Sequence, residues 1–179
     1  MHKMIVRRIL KSTLCLLFRG SIAHTATAQE ITVSPIPQQI EWGGEKAFDN
    51  NAAFKVKGAE KADADAMALL AKRCNLDGKE IKLFIGERGD KAVKKYAALI
   101  PQKKEGYYLK ITPKEVVIAG NDEAGTYYGV QTFLQIASSP EVMCVTVCDY
   151  PDVATRGMVE GYYGNPYSDE DRKELFDFF

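Results

Sequence analysis

Five consecutive residues, Glu160-Gly161-Tyr162-Tyr163-Gly164, gather the chemistry-bearing types of this 179-residue sequence into one place. The carboxylate of Glu160 can bond to a hydroxyl or to a loop amide. Gly161, lacking a side chain, lets a ring approach the main chain closely. Tyr162 and Tyr163 offer aromatic faces that can stack on an apolar surface. Each residue also has a plainer role. Gly161 can serve only its turn, Glu160 can be a buried carboxylate satisfied by Arg156 or by main-chain donors, and the tyrosines can pack a loop. Glu160, Gly161, Tyr162 and Tyr163 are therefore the candidate substrate-binding residues, and no catalytic group is assigned.

Other carboxylates are poor candidates for chemistry. Asp149 and Asp152 flank a linker. Asp169 and Asp171 fall in the first turn of a helix, where the helix dipole favours negative charge. No metal site or cofactor is expected, since the only histidines, His2 and His24, lie near the start of the chain. Cys144 and Cys148 share one face of a strand at roughly 13 Å, too far for a disulfide. Cys74, Cys144 and Cys148 are read as free, mostly buried thiols.

The candidate residues need elements to hold them. Met158-Val159 is the apolar core of a short strand, and Ser168 with Asp171 makes a cap of the S-x-x-D type. A helix from Asp169 to Phe179 follows. Strand, Gly- and aromatic-rich loop, and capped helix form the first unit of a β/α barrel, an architecture whose chemistry sits at the C-terminal ends of its strands. Such a barrel needs about 250 residues. The sequence thus reads as the front end of an enzyme, truncated before its catalytic residues, with residues 151–179 as the barrel's start. Leu175, Phe176, Phe178 and Phe179 leave that helix with an apolar end and no stop signal.

Upstream, residues 29–150 alternate short strands with amphipathic helices and predict one α+β domain, a sheet with helices on one face. The strands are read at Phe54–Lys57, Ile81–Ile85, Tyr107–Ile111, Val116–Ala119 and Val142–Val147, after an extended Ile31–Pro37 and a Gly43-Gly44 turn. Three helices are expected. Ala62–Asn75 carries Ala66, Met67, Leu70 and Cys74 on one stripe. Lys91–Ile100 has Val93, Tyr96, Ala97 and Ile100 at helical spacing. The third runs from an Asn121-Asp122 cap to Ile136, with Tyr127, Val130, Leu134 and Ala137 facing the sheet. Gly125 and Gly129 would let it approach a neighbour closely. Asp149-Tyr150-Pro151-Asp152 marks the domain boundary.

The chain starts differently from the rest. Residues 1–28 hold five of the 24 Lys/Arg and none of the 24 Asp/Glu. With an apolar Leu14–Phe18 and an Ala26-Thr27-Ala28 site before Gln29, they read as a signal peptide, which predicts a periplasmic or secreted protein. Beyond them, 19 basic residues face 24 acidic ones, a net of −5 that argues against a nucleic-acid partner. No apolar run approaches the roughly 20 residues of a membrane span.

Two stretches resemble exo-acting N-acetylhexosaminidases. Val117-Ile118-Ala119-Gly120-Asn121-Asp122-Glu123-Ala124-Gly125-Thr126-Tyr127-Tyr128-Gly129-Val130-Gln131-Thr132-Phe133 is similar to the last hairpin and helix of their small α+β domain. Asp149-Tyr150-Pro151 with Arg156-Gly157-Met158-Val159-Glu160-Gly161-Tyr162-Tyr163-Gly164 resembles the entry to a family 84 glycoside hydrolase barrel. That family includes bacterial relatives of O-GlcNAcase, often called hyaluronidases. A family 20 enzyme would carry an Asp-x-x-Arg-His type sequence there. The resemblance implies release of terminal β-linked N-acetylglucosamine with retention, the substrate's own 2-acetamido oxygen attacking the anomeric carbon. It implies no cofactor, and a glycan bearing N-acetylglucosamine as partner. It also implies that Gly161 presents its carbonyl to a sugar hydroxyl. The family's pair of neighbouring catalytic aspartates does not occur in these residues, so the chain alone is expected to be inactive. The alternative is a non-catalytic carbohydrate-binding or scaffold domain.

Overall fold

The computed structural model describes residues 33–58, 62–157, 159, 164 and 166–178. Six strands form one mixed sheet: β1 (Gln39–Asp49), β2 (Phe54–Lys57), β3 (Ile81–Glu87), β4 (Tyr107–Ile111), β5 (Glu115–Gly120) and β6 (Glu141–Asp149). Their order across the sheet is β1-β6-β4-β5-β3-β2. From β1 to β5 neighbours are antiparallel, while β5, β3 and β2 run parallel. This α+β architecture is the one the alternating patterns predict.

Helices α1 (Ala64–Arg73) and α2 (Glu123–Ala137) cover one face. Both start where an aspartate can cap them. Asp63 accepts from the Ala66 amide at 2.9 Å, and Asp122 accepts from the Gly125 amide at 2.9 Å. Strand side chains alternate between faces. Leu83, Ile85, Leu109, Ile111, Val116 and Ile118 therefore point at the helices, where they pack with Leu70, Val130 and Phe133. Phe54 joins two rings edge-on, Phe48 at 5.3 Å and Phe133 at 5.7 Å. The expected stripe of α1 holds: Ala66 and Leu70 are buried, with Met67 and Cys74 packed beside them.

The stripe of α2 is rotated from the expected one. Val130 faces the core, but its fully buried companions are Gly125, Thr126, Gly129, Phe133 and Ile136. Tyr127, Leu134 and Ala137 are only partly buried. The two glycines explain the rotation. A Cβ on Gly125 would lie 2.2 Å from the Gly106 carbonyl oxygen, and one on Gly129 2.9 Å from Ile118 Cγ2. The helix lies along its glycines against Ile118 of the sheet and the turn at Gly106, so a pattern of apolar side chains misses the face of closest approach.

Residues 91–100 do not form the expected α-helix. The amides of Val93, Tyr96, Ala97 and Leu99 each bond three residues back, with a single 3₁₀ turn at Lys94–Tyr96. The Arg88 guanidinium donates to the carbonyl oxygens of Ala97 and Ile100 at 2.6 and 2.5 Å, serving ends that an α-helix would leave open. Val93, Tyr96 and Ile100 are buried as their spacing requires, but against the opposite face of the sheet, with Tyr108, Val117 and Ala119. The second face is therefore covered as well.

Gly43-Gly44 is not a turn either. β1 runs through it as an irregularity in pairing with β6 between Trp42 and Lys46. A Cβ on Gly43 would lie 2.7 Å from Cys144 Cβ, so the glycine lets the two strands stay close. Cys74, Cys144 and Cys148 are free thiols, and burial raises the pKa of each.

After Asp149 the described residues form no strand. Val159, expected in a barrel strand with Met158, lies outside any strand and is exposed, while Met158 is outside the described residues. A barrel strand is held by ladders to two neighbours, and the described residues supply neither. Helix α3 (Asp169–Phe178) begins at the anticipated cap. The Ser168 amide donates to Asp171 at 2.9 Å, and the Asp171 amide donates back to Ser168 Oγ at 3.1 Å.

Candidate functional site

Glu160, Gly161, Tyr162 and Tyr163 all lie outside the described residues. What the structure shows is how the chain that leads to them leaves the sheet, and which side chains fix that exit.

β6 ends at Asp149, whose carboxylate takes up two donors. The Gln38 amide reaches it at 3.0 Å and the Tyr107 hydroxyl at 3.1 Å. Tyr107 also shares a buried hydrogen bond with Thr132 at 2.7 Å. Burial, more than any neighbour, drives the Tyr107 phenol far above its ordinary range, so it stays protonated and donates. Asp149 therefore ties the last strand to the N-terminal segment and to β4. Gln38 Nε2 bonds the Tyr150 carbonyl at 3.4 Å, and Lys103 Nζ stands 5.8 Å from the Tyr150 ring.

Seven residues later Arg156 makes the next fixed point. Its guanidinium donates to the Val153 carbonyl at 2.7 Å, to the Tyr128 hydroxyl at 3.4 Å and to the Glu105 carboxylate. It also lies 5.8 Å from the Tyr128 ring centroid, over its face. Glu105 is itself held. Its backbone takes a positive φ of 62°, uncommon outside glycine, and its amide donates to Asp122 at 2.8 Å. Asp122 thus caps α2 with one oxygen and fixes the Glu105 turn with the other. The Glu105 side chain is only 12% exposed, so Arg156 closes over it.

Among the described residues, the side-chain partners of Arg156 are Glu105 and Tyr128, 51 and 28 residues back; a pairing with Glu160 falls outside the described residues. Nothing local to Lys103-Lys104-Glu105-Gly106 marks Glu105 for this role, although Gly106 after it is a turn signal. Asp171 and Asp169 behave as structural groups. Asp171 sits in the α3 cap, which lowers its pKa, and Asp169 pairs with Arg172 at 3.1 Å. Asn121 accepts from Arg88 Nε at 3.0 Å, a role that leaves Gly120-Asn121 as turn and brace. Among the described residues, no cluster of His, Cys, Asp or Glu could hold a metal ion, and no helix is long and apolar enough to cross a membrane.

The geometry is that of a support. One compact sheet domain delivers its last strand to a short segment, and that segment is fastened by Asp149 and Arg156 on either side of Pro151. Known proteins resemble the sheet domain. The family described as glycosyl hydrolase family 20, domain 2, matches residues 30–150. Among solved structures, that of CpGH84B superposes with a TM-score of 0.69 at 26% identity, over 83% of this chain and 27% of that one. The structure of CpGH84D gives 0.68 at 24% identity, over 82% and 28%. A family 20 exo-β-N-acetylglucosaminidase from Vibrio harveyi, solved with N-acetylglucosamine, gives 0.56 at 19% identity, over 80% and 23%, a likeness of fold. The chain spans about a quarter of the length of these proteins.

Proposed function

The chain belongs to the glycosyl hydrolase family 20, domain 2, family through residues 30–150, and from that premise we propose that it is the N-terminal part of a β-N-acetylglucosaminidase. It is the hexosaminidase-type α+β domain of a glycoside hydrolase, resembling family 84 proteins. The observation that carries the finer reading is a juxtaposition. The family match ends at residue 150, and Arg156-Gly157 and Glu160-Gly161-Tyr162-Tyr163-Gly164 follow at once.

The reaction would remove a terminal β-linked N-acetylglucosamine from a glycan with retention. The 2-acetamido oxygen serves as nucleophile, one aspartate orients it, and a neighbouring aspartate protonates the leaving oxygen. No two aspartates are adjacent in this sequence, so the pair would come from barrel residues beyond it. Here Gly161 would present its carbonyl to a sugar hydroxyl, with Glu160, Tyr162 and Tyr163 lining the same wall. The domain boundary is placed at residues 150 and 151. Residues 1–28 would direct export to the periplasm or beyond, so N-terminal sequencing of native protein should begin at Gln29, and an intact Met1 would refute export.

The test is a paired assay on an aryl β-N-acetylglucosaminide. A full-length protein containing this chain should turn the substrate over, and residues 1–179 alone should not. Inactivity of the full-length protein would sink the reading. Turnover by residues 1–179 would show that the catalytic groups lie within them. In the full-length protein, Gly161→Val should raise KM by crowding the pocket floor, and an unchanged KM and kcat would reduce Gly161 to a turn residue.

A further inference from the structure

The second face of the sheet carries charge that neither the core nor the exit segment uses. A groove of about 740 Å³ opens there, lined by Lys57, Lys91, Lys94 and Lys95 with Gly58, Phe84 and Ala92. Alternation from the core residues Phe54 and Leu83 sets Lys55, Lys57, Lys82 and Phe84 on this face, and the register puts Lys55 beside Lys82 and Lys57 beside Phe84. The 3₁₀ segment supplies the other wall. Beyond residue 28 the chain has a net charge of −5, so this concentration of ammonium groups runs against its background.

Among the described residues, one carboxylate answers these lysines. Glu115 lies 3.5 Å from Lys95 and is held by the Tyr96 hydroxyl at 2.7 Å. Among the described residues, Lys57, Lys91 and Lys94 have no carboxylate within ion-pairing distance. The floor is apolar. Phe84 is half-buried, with Lys95 Nζ 5.0 Å from its ring centroid.

We propose that this groove binds an anionic polysaccharide, a glycan chain bearing uronic-acid carboxylates, at a place separate from the Gly161 segment. Several exposed ammonium groups on a shared face suit a polymer with repeated charges. Two of them, Lys55 and Lys57, stand roughly 7 Å apart along one strand. The preference for carboxylate over sulfate follows from hydration. An ammonium is a compact, strongly hydrated point charge, and it pairs best with an anion of similar character. Among the described residues no arginine lines the groove, whereas arginine forks dominate planar recognition of phosphate in nucleic acids. Membrane binding needs apolar side chains to insert, and the exposed large apolar residues, Ile36, Trp42, Leu99, Tyr128, Val153, Val159 and Tyr167, lie outside its lining. The choice of a sugar polymer rests on the glycosidase reading, but the site and its charge do not.

Affinity electrophoresis of the purified full chain tests this without any turnover, so its outcome is independent of the glycosidase assay. Gels would contain polygalacturonate, uncharged dextran, dextran sulfate or an oligothymidylate. The chain should be retarded by polygalacturonate and not by dextran, and the retardation should weaken as salt rises from about 50 to about 300 mM. The double substitution Lys91→Glu with Lys94→Glu should weaken binding by about tenfold or more. Lys72→Glu, on α1 at the other face, should leave it unchanged. Circular dichroism would show all variants folded, since these side chains are exposed. No retardation, equal retardation of the double variant, or tighter binding to dextran sulfate or oligothymidylate would overturn the proposal.

Discussion

The two faces of the sheet bury side chains of similar type by different means. On the first, two capped α-helices lie over Leu83, Ile85, Leu109 and Ile118, and the rings of Phe48, Phe54 and Phe133 fill the centre. On the second, a run of short turns brings Val93, Tyr96 and Ile100 against Tyr108 and Val117. That run is held by the side chain of Arg88 and not by a helical ladder. Apolar spacing marks which residues are buried on both faces. It does not decide whether a helix or a series of turns does the burying.

The sharpest contrast should come from the first face. Phe133 is fully buried and meets Phe54 edge-on at 5.7 Å. Phe133→Ala should cost about 3–5 kcal/mol, read as a lower urea midpoint. Ile100, on the second face, is 2% exposed, and Ile100→Val should cost only about 0.5–1.5 kcal/mol. Equal losses for the two variants would break the comparison.

Arg88 is the next handle. Arg88→Met strips the donors from the Ala97 and Ile100 carbonyls, and unsatisfied groups of this kind cost about 1–3 kcal/mol each. Hydrogen exchange should quicken across residues 91–100 and stay slow in α2. If exchange is unchanged, the turns hold themselves and the arginine is incidental.

Gly125→Ala probes the close approach of α2. In an exposed helix interior this change would stabilise by up to about 1 kcal/mol. Here the added Cβ would meet the Gly106 carbonyl oxygen at 2.2 Å, so a loss of about 1–3 kcal/mol is expected from overpacking. A gain in midpoint would mean that α2 lies farther from the turn at Gly106.

Much of this was legible in the residues. Five strands fell within a residue or two of their expected ends, because alternation and turn residues such as Thr112-Pro113-Lys114 are local signals. The caps at Asp122 and Ser168 were legible for the same reason. What failed depended on distant partners. Gly43-Gly44 reads as a turn because its reason for being glycine, the close approach of Cys144 Cβ, lies about 100 residues away. The α2 face departs from the apolar stripe because glycines, which carry no apolar side chain, define it. The Glu105–Arg156 pair joins a turn to the exit segment across 51 residues, and no spacing rule reaches that far. The lysine groove was hidden similarly, since Lys57 and Lys91–Lys95 meet only through the sheet register.

The smallest expected effect concerns pH. The Tyr96 hydroxyl, and after it Lys95, holds the Glu115 carboxyl below the usual carboxylate range. Its folded pKa is depressed, so its stabilisation is complete above the unfolded value near about 4.3 and is lost as pH falls through the folded value. Glu87 shifts the other way through burial and then Asp90, but it is common to both proteins being compared. Glu115→Gln should therefore lose less stability than the parent chain on acidification below about pH 4.5. Parallel acid profiles would remove Glu115 from the account.

The proposal is that this domain belongs to a retaining β-N-acetylglucosaminidase. Proton nuclear magnetic resonance of the anomeric region, recorded as a full-length protein containing this chain hydrolyses an aryl β-N-acetylglucosaminide, tests it most directly. Substrate-assisted attack inverts the anomeric centre twice, so the β-anomer of N-acetylglucosamine should accumulate first and the α-anomer only later by mutarotation. First appearance of the α-anomer, or no release of N-acetylglucosamine, would contradict it.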